Sequence, residues 1–154
     1  MPKITKLPAP LSIFYSKTVD QLKNMSNYDF MSFEITSQLF PNTKNTDVKM
    51  EGVLIDFDDD RKYPRGIESD EVIKELDKMG LRPADHHELL SFGAQHPKVQ
   101  KEFPVVGLGS SPNIKLNNVR VILSLNFFRD QRELLLEVWG GKWAKDRRFL
   151  AFKK

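Results

Sequence analysis

The stretch that decides the fold is VRVILSLNFFRDQRELLLEVWGG, residues 119–141. In its first half, apolar residues at the odd positions alternate with a mixed set at the even positions, and the second half alternates in the same way from Glu133 to Trp139. Strict alternation predicts two strands, each with one buried face and one mixed face. The polar residues Arg129–Arg132 between them predict a tight turn, and Gly140 with Gly141 predicts a second one. The stretch is therefore an antiparallel hairpin within a larger sheet.

Other strands are predicted on both sides of this hairpin. Residues 103–109 form a short strand that ends in glycine, and Arg148–Lys153 forms the final strand. Nearer the start, Leu11–Tyr15 is predicted as a strand. In residues 48–57 the apolar parity changes at Gly52, which predicts a β-bulge that keeps both sets on one face.

Three short helices are predicted from residues that can cap their first turns. Thr18 with Gln21 and Asp85 with Glu88 have the capping-box form, and Ser69 precedes apolar residues at helical spacing. The predicted helices cover residues 19–25, residues 70–79 with Gly80 ending the helix, and the residues from Asp85 to His96. Helices among antiparallel strands predict an α+β fold, and the length of 154 residues fits one domain over residues 1–154.

Composition excludes several classes of protein. The chain has no cysteine, which excludes disulfides, thiolate zinc sites and cysteine nucleophiles. No apolar run approaches the ~18 residues of a membrane span. The first six residues lead into no apolar core of a signal peptide, so we expect a cytoplasmic protein by default.

Charge is distributed unevenly along the chain. Residues 1–77 carry 10 basic and 14 acidic side chains, a net charge of −4, and residues 78–154 carry 14 and 7, a net charge of +7. One alternative is that the two halves attract each other. The other is a basic surface, because the C-terminal cations are interleaved with aromatic residues in a way that suits nucleic acid. This cluster comprises Lys142, Lys145, Arg147, Arg148, Lys153 and Lys154, with Phe128, Trp139 and Trp143 nearby.

No motif supports an enzyme, a metal or a cofactor. The run Asp56–Asp60 lacks the glycine and the final glutamate of a calcium loop. Residues 107–111 lack the later glycine of a dinucleotide fingerprint and the lysine of a P-loop. A small enzyme site around Asp85, His86, His87 and Glu88 remains a competing interpretation, although these residues lack the spacing of zinc hydrolases.

The mixed face of the hairpin is its most informative feature. It combines cationic, acidic, amide, apolar and aromatic side chains, which is typical of a protein-binding surface. Burial of this face under another element is the equal alternative. Its members are Arg120, Ile122, Ser124, Asn126, Glu133, Leu135, Glu137 and Trp139.

The sequence resembles a group of uncharacterised bacterial proteins found in candidate-phyla genomes. The resemblance rests on residues 73–85, Glu88-Leu89-Leu90, Gly93-Ala94, His96-Pro97, Phe103-Pro104, Gly109-Ser110, Gly141-Lys142-Trp143 and Arg148-Phe149-Leu150-Ala151. That group in turn is similar to the variable proteins of diversity-generating retroelements, which have a C-type-lectin-like fold. The resemblance implies this fold for the chain, with paired terminal strands formed by Leu11–Tyr15 beside Arg148–Lys153.

The resemblance also implies a ligand-binding function without catalysis. Diversified residues would lie within about residues 107–148 and would bind a protein or cell-surface ligand. The calcium–sugar motifs of lectins and the cysteines of formylglycine-generating enzymes are absent, so neither activity is implied. Trp139 and Arg120 are the expected anchors, since Trp and Arg dominate binding hot spots. The predicted binding residues are Asn113, Lys115, Asn118, Arg120, Ser124, Asn126, Glu133, Leu135, Trp139, Lys142 and Lys145, whereas Phe127, Leu134, Leu136, Trp143 and Phe149 are predicted to be core.

Overall fold

A computed structural model describes residues 2–154, and Met1, the first residue of the predicted domain, lies outside them. The described residues form an α+β fold with three helices and a mixed, mostly antiparallel sheet. None of these helices has the length and hydrophobicity that crossing a membrane requires. The helices are α1 (Val19–Met25), α2 (Ser69–Lys78) and α3 (His86–Gln95). The strands are β1 (Lys3–Lys6), β2 (Leu11–Ile13), β3 (Phe30–Met31), β4 (Val48–Met50), β5 (Gly52–Asp56), β6 (Ile67–Glu68), β7 (Leu81–Pro83), β8 (Val105–Gly107), β9 (Lys115–Leu116), β10 (Val119–Phe128), β11 (Gln131–Val138), β12 (Lys142–Trp143) and β13 (Arg148–Lys153).

The last strand, β13, lies inside the main sheet. The order across this nine-stranded sheet is β1-β5-β13-β8-β10-β11-β3, with β7 also paired to β13 and β9 to β10. Strand β13 pairs antiparallel with β5, from Arg148 opposite Asp56 to Phe152 opposite Gly52, and parallel with β8. Two small sheets, β2–β4 and β6–β12, flank the main one.

The predicted hairpin is confirmed as β10 and β11. Their register runs from Val121 opposite Val138 to Phe128 opposite Gln131. The turn between them consists of Arg129 and Asp130, whose φ angles are 52° and 63°. Two successive residues of positive φ are typical of a type I′ turn, whose twist matches that of the strands it joins.

The centre of β10 is buried on both faces, which differs from the prediction of one buried face. Val121, Leu123 and Leu125 pack in one core with residues of α1 and α3. On the opposite face, Ile122 packs in a second core that includes Val72 and Leu76 of α2. A second layer therefore covers the middle of the mixed face, as the alternative interpretation of the sequence had it.

Two of the three helices begin as their sequences predict. Thr18 and Asp85 are the N-caps of α1 and α3, and both capping boxes are complete. The expected cap at Ser69 is wrong, because Glu68 is the N-cap of α2 and makes no side-chain capping bond. The Ser69 hydroxyl instead donates to the Trp139 carbonyl (2.7 Å) and accepts from the Trp143 indole (2.8 Å), which ties α2 to the end of the hairpin.

The predicted pairing of terminal strands is also wrong. Strand β5 separates β1 from β13, because it pairs with β1 on one edge and β13 on the other. Leu11–Ile13 pairs with β4 instead of β13. This segment is held against α3, since the Ser12 amide donates to the Gln95 side chain (3.0 Å) and the Phe14 amide to the Ser91 hydroxyl (3.0 Å).

Gly52 separates two strands and does not form a bulge within one. Strand β4 ends at Met50 and belongs to the small sheet with β2, whereas β5 begins at Gly52 in the main sheet. A Cβ atom at Gly52 would lie 3.1 Å from side-chain atoms of Leu7 and Phe152. The apolar residues change from even to odd positions at Gly52 because the chain passes there from the small sheet to the main sheet.

A buried carboxylate joins α3 to β7 and to the segment that follows β2. Glu88, which has no exposed surface, accepts hydrogen bonds from both terminal nitrogens of Arg82 on β7 (2.8 and 2.9 Å). It also accepts from the Tyr15 hydroxyl and from the Asp85 amide (2.8 Å). Burial alone would raise the pKa of Glu88, but the bonds from Arg82 and Tyr15 hold it below its ordinary value. Glu88 is therefore ionised at neutral pH and fixes the position of α3.

Replacing this carboxylate should destabilise the protein strongly. In Glu88→Gln the half-buried Arg82 guanidinium loses its counter-charge, so we expect the free energy of unfolding to fall by about 2 kcal/mol in urea denaturation. Glu102→Gln is the matched control, because Glu102 is exposed and should change stability by less than about 0.5 kcal/mol. Equal stabilities of the two variants would contradict the assigned role of Glu88.

Candidate ligand-binding surface

The structure leaves nine of the eleven predicted binding residues with exposed surface. Three lie in the Ser111–Asn118 segment that leads into β10, two lie at the end of the hairpin nearest to it, two lie along β11, and two lie at or after β12. In that order they are Asn113, Lys115 and Asn118; Arg120 and Trp139; Glu133 and Leu135; and Lys142 and Lys145.

Lys115, Arg120 and Trp139 form a row across β9, β10 and the position that follows β11. Lys115 is the Cα partner of Arg120, and the Trp139 amide donates to the Arg120 carbonyl (2.9 Å). Directly paired residues project to the same face of a sheet. The guanidinium carbon of Arg120 lies 3.4 Å from the centre of the Trp139 ring, within the range of a cation–π contact. The two expected anchors are therefore neighbours that support each other.

The backbone around this pair holds it in place. A terminal nitrogen of Arg120 donates to the Ser110 carbonyl (3.2 Å), and the Trp139 carbonyl accepts from Ser69. Both side chains are half-buried, so each keeps surface that a ligand can contact. Fixed side chains lose little conformational entropy on binding, which favours affinity.

Ser124 and Asn126 are buried, so the expectation that they are exposed is wrong. The Asn126 amide nitrogen donates to the Ser124 hydroxyl (2.6 Å), and its amide oxygen accepts from Arg147 (2.7 Å). Arg147 also lies 3.6 Å from the Glu137 carboxylate. These polar side chains satisfy one another beneath the segment that precedes β13, and strand alternation alone cannot distinguish that arrangement from exposure to water.

The outer edge of the sheet carries two aromatic residues, Phe30 and Phe33, that the sequence pattern did not single out, and Phe128 lies near them. Phe30 on β3 is the Cα partner of Glu133, and Phe30, Phe33 and Phe128 are 48 %, 84 % and 59 % exposed. Half-buried Leu135 lies two residues further along β11. This apolar edge was missed because residues 27–45 contain little regular structure, although two phenylalanines in a polar loop were a signal.

Much of the C-terminal basic cluster is engaged in internal ion pairs. Arg148 lies 3.2 Å from Asp56, and Lys145 and Lys154 contact Asp60 and Asp77. These pairs join the basic half of the chain to its acidic half, as one interpretation of the charge asymmetry predicted. Trp143 and Phe149 are buried, as predicted, so neither ring offers an exposed face to a nucleic-acid base.

A cleft of about 600 Å³ lies beside this surface at the start of α3. Asn113 and Lys115 form part of its wall, so it is continuous with the row of Lys115, Arg120 and Trp139. Asp85, His86 and Ser110 also line it, together with the chain around Pro41. Concave sites with a few convergent polar groups are where small ligands usually bind.

Two groups in the cleft titrate abnormally. Burial raises the pKa of Asp85 to about 6, and the negative charge of Glu88 acts in the same direction. Burial lowers the pKa of His86 to about 4, so its ring is neutral at pH 7. Burial also lowers the pKa of His87.

Within residues 2–154, no group of three or more His, Asp or Glu side chains is arranged to hold a metal ion.

The titration of Asp85 predicts a pH-dependent effect of Asp85→Asn. The folded protein holds this proton more tightly than the unfolded chain, so the contribution of Asp85 to stability is complete below about pH 3.8 and is lost as the pH rises through about 6. Asparagine remains a good N-cap and carries no charge. We therefore expect the variant to be more stable than the wild type by about 1–2 kcal/mol at pH 7 and equally stable at pH 3.5.

Urea unfolding at pH 7 and pH 3.5 measures the difference in stability between the variant and the wild type. Both proteins contain His86, so its titration affects both. Asp70→Asn, at an exposed carboxylate in the first turn of α2, should show no such gain at pH 7. A variant Asp85→Asn that is less stable than the wild type at pH 7 would show that the charge of Asp85 stabilises the fold.

Comparison with known proteins matched this chain to no protein-family model, no curated protein and no solved structure. Its function is therefore inferred from the chemistry of its own residues.

Proposed function

We propose that this protein is a ligand-binding protein that recognises a protein or another macromolecular ligand through its C-terminal sheet and loops. The observation that carries the proposal is the stack of Arg120 on Trp139 at 3.4 Å, half-exposed at one end of the hairpin. Trp and Arg are the residues most enriched in binding hot spots. The exposed part of the Trp139 ring, with Arg120 beside it, can contact a ligand, whereas it adds no packing to the core.

The proposed fold is C-type-lectin-like. Three features support it: a central last strand, a late antiparallel hairpin and helices that precede the hairpin in the chain. The first strand departs from the expectation, because Leu11–Ile13 pairs with β4 in a separate small sheet and β5 lies between β1 and β13. Both β1 and β13 nevertheless belong to the main sheet.

The exposed residues offer a ligand several kinds of contact. Lys115 and Arg120 carry positive charge at one end, and Glu133 lies near the apolar edge of Phe30, Phe128 and Leu135 at the other. Mixed charge beside exposed aromatic rings is typical of surfaces that bind proteins. A protein ligand is preferred to nucleic acid because Trp143 and Phe149 are buried and offer no ring to a base, and Arg148 is paired with Asp56.

We further propose that residues 107–148 are the diversified portion of the chain. In that portion, substitutions at exposed positions would change the ligand while the buried positions maintain the fold. The proposed variable positions are those predicted binding residues that keep exposed surface: Asn113, Lys115, Asn118, Arg120, Glu133, Leu135, Trp139, Lys142 and Lys145.

Natural variation at this locus tests the proposal without knowledge of the ligand. Deep sequencing of the source population should show substitutions concentrated at these exposed positions within residues 107–148. The same data should show few at Ser124, Asn126, Leu134 and Trp143, because these side chains are buried. Residues 2–106 of the same reads serve as the internal control.

A uniform distribution of substitutions along the chain would contradict the diversified-surface proposal. Variation concentrated at buried positions would contradict it as well, since such positions cannot contact a ligand in this fold.

Nucleic-acid binding is tested separately by titrating a single-stranded oligonucleotide against the protein. We expect at most the non-specific dissociation constants of roughly 10⁻⁴–10⁻⁶ M at physiological salt. Charge reversal of Lys98 and Lys101, exposed cations outside the proposed surface, is the matched control for general electrostatics. Nanomolar binding that falls steeply with salt, and that Lys115→Glu abolishes but the control does not, would replace a protein ligand with nucleic acid.

A further inference from the structure

The cleft at the start of α3 contains a serine hydroxyl and an imidazole in direct contact. The Ser110 Oγ lies 2.9 Å from Nδ1 of His86, and Nε2 of His86 lies 3.0 Å from the Pro41 carbonyl oxygen. We propose that Ser110 is a nucleophile activated by His86, and that the cleft accepts a small carboxylic ester whose acyl group is transferred to Ser110. This activity goes beyond ligand binding by the sheet and does not depend on it.

The hydrogen bonds determine the tautomer of His86. A carbonyl oxygen can only accept, so Nε2 must carry the proton that it donates to Pro41. Nδ1 then has a free lone pair, and the Ser110 hydroxyl is its donor. A nucleophile bonded to a base, with the base oriented by a third group, is the arrangement that activates serine in acyl transfer.

Burial keeps the ring of His86 uncharged at neutral pH. Its pKa is lowered to about 4, chiefly by burial, so Nδ1 remains unprotonated at neutral pH. Both His86 and Ser110 are 2 % exposed, and both line the cleft of about 600 Å³. The cleft is large enough for a small molecule.

Local sequence places the two residues together. His86 is the first residue of α3, and the capping box of Asp85 with Glu88 fixes where this helix begins. On the other side, the Gly109 amide donates to the Ala84 carbonyl (2.7 Å). A Cβ atom at Gly109 would overlap the Pro83 carbonyl oxygen, so glycine is needed for Ser110 to approach the helix.

The reaction is balanced with water as the only co-reactant. The Ser110 oxygen forms a bond to the acyl carbon as its proton passes to Nδ1 of His86. The bond from the acyl carbon to the alcohol oxygen then breaks, and the alcohol leaves with that proton. Water attacks the acyl-serine, releases the acid and restores the hydroxyl. The Lys115 ammonium, on the wall of the cleft, is the group available to stabilise negative charge on the carbonyl oxygen.

Diisopropyl fluorophosphate tests the nucleophile directly, because a serine oxygen that attacks its phosphorus expels fluoride and keeps the phosphoryl group. We expect an adduct on Ser110 of the full chain by peptide mass mapping. The adduct should be absent from Ser110→Ala and should form at the wild-type rate in Ser111→Ala, because Ser111 is exposed in the same loop and its hydroxyl caps the Asn113 amide (3.2 Å).

His86 and His87 provide a matched pair for the base. Both are buried, but His87 donates to the Lys17 carbonyl (2.8 Å) and is not bonded to Ser110. We expect His86→Gln to slow labelling by about 100-fold or more, the usual contribution of a general base, and His87→Gln to slow it by less than about threefold. Thermal unfolding confirms that each variant is folded.

Failure of Ser110 to form the adduct in the folded wild-type chain would overturn the proposal. Labelling of His86→Gln at the wild-type rate would also overturn it, because the hydroxyl would then react without the imidazole. If His86→Gln does not fold, the proposal is judged by two results, the site of the wild-type adduct and the comparison of Ser110→Ala with Ser111→Ala.

Discussion

The buried carboxylate of Glu88 is the interaction on which the rest of this structure depends. A carboxylate without exposed surface is costly unless its charge and its oxygen lone pairs are satisfied. Here Arg82 supplies the counter-charge, while Tyr15 and the Asp85 amide supply further hydrogen bonds. Arg82 lies on β7, which pairs with β13, so the last strand, the first turn of α3 and the segment after β2 must assemble together.

This constraint determines which residues of the sheet remain exposed to a ligand. With α3 fixed on one side of the sheet and α2 on the other, β10 is buried on both faces at its centre and keeps exposed residues only at its ends. One end presents Arg120 and Trp139 beside Lys115, and the same end opens into the cleft beside His86. The other end presents Glu133 with exposed phenylalanines. The candidate site is therefore what the two core layers leave uncovered.

Local signals in the sequence predicted the parts of the fold that depend on neighbouring residues. The capping boxes at Thr18 and Asp85 arise from bonds within one helix, and the alternation of residues 119–138 predicted the two strands of the hairpin but not the burial of both faces of β10. Predictions failed where a distant element decides the outcome. Ser69 bonds to the end of the hairpin instead of its own helix, Leu11–Ile13 is held by α3, and Arg147 covers Asn126. The pairing of Ser110 with His86 also joins segments far apart in the chain, so spacing alone could not predict it.

The central claim is that a fixed core carries a surface whose residues are free to change, and a stability scan tests it most directly. The stability of every single-substitution variant in residues 107–148 would be measured from its resistance to protease, with each variant displayed on the surface of a cell. We expect most substitutions at Asn113, Lys115, Glu133 and Lys142 to leave stability within about 0.5 kcal/mol of the wild type. We expect most at Ser124, Asn126 and Leu134 to lower it by more than about 1 kcal/mol, because they leave buried partners unsatisfied or create a cavity. Equal sensitivity of the two groups would contradict the division between core and binding surface.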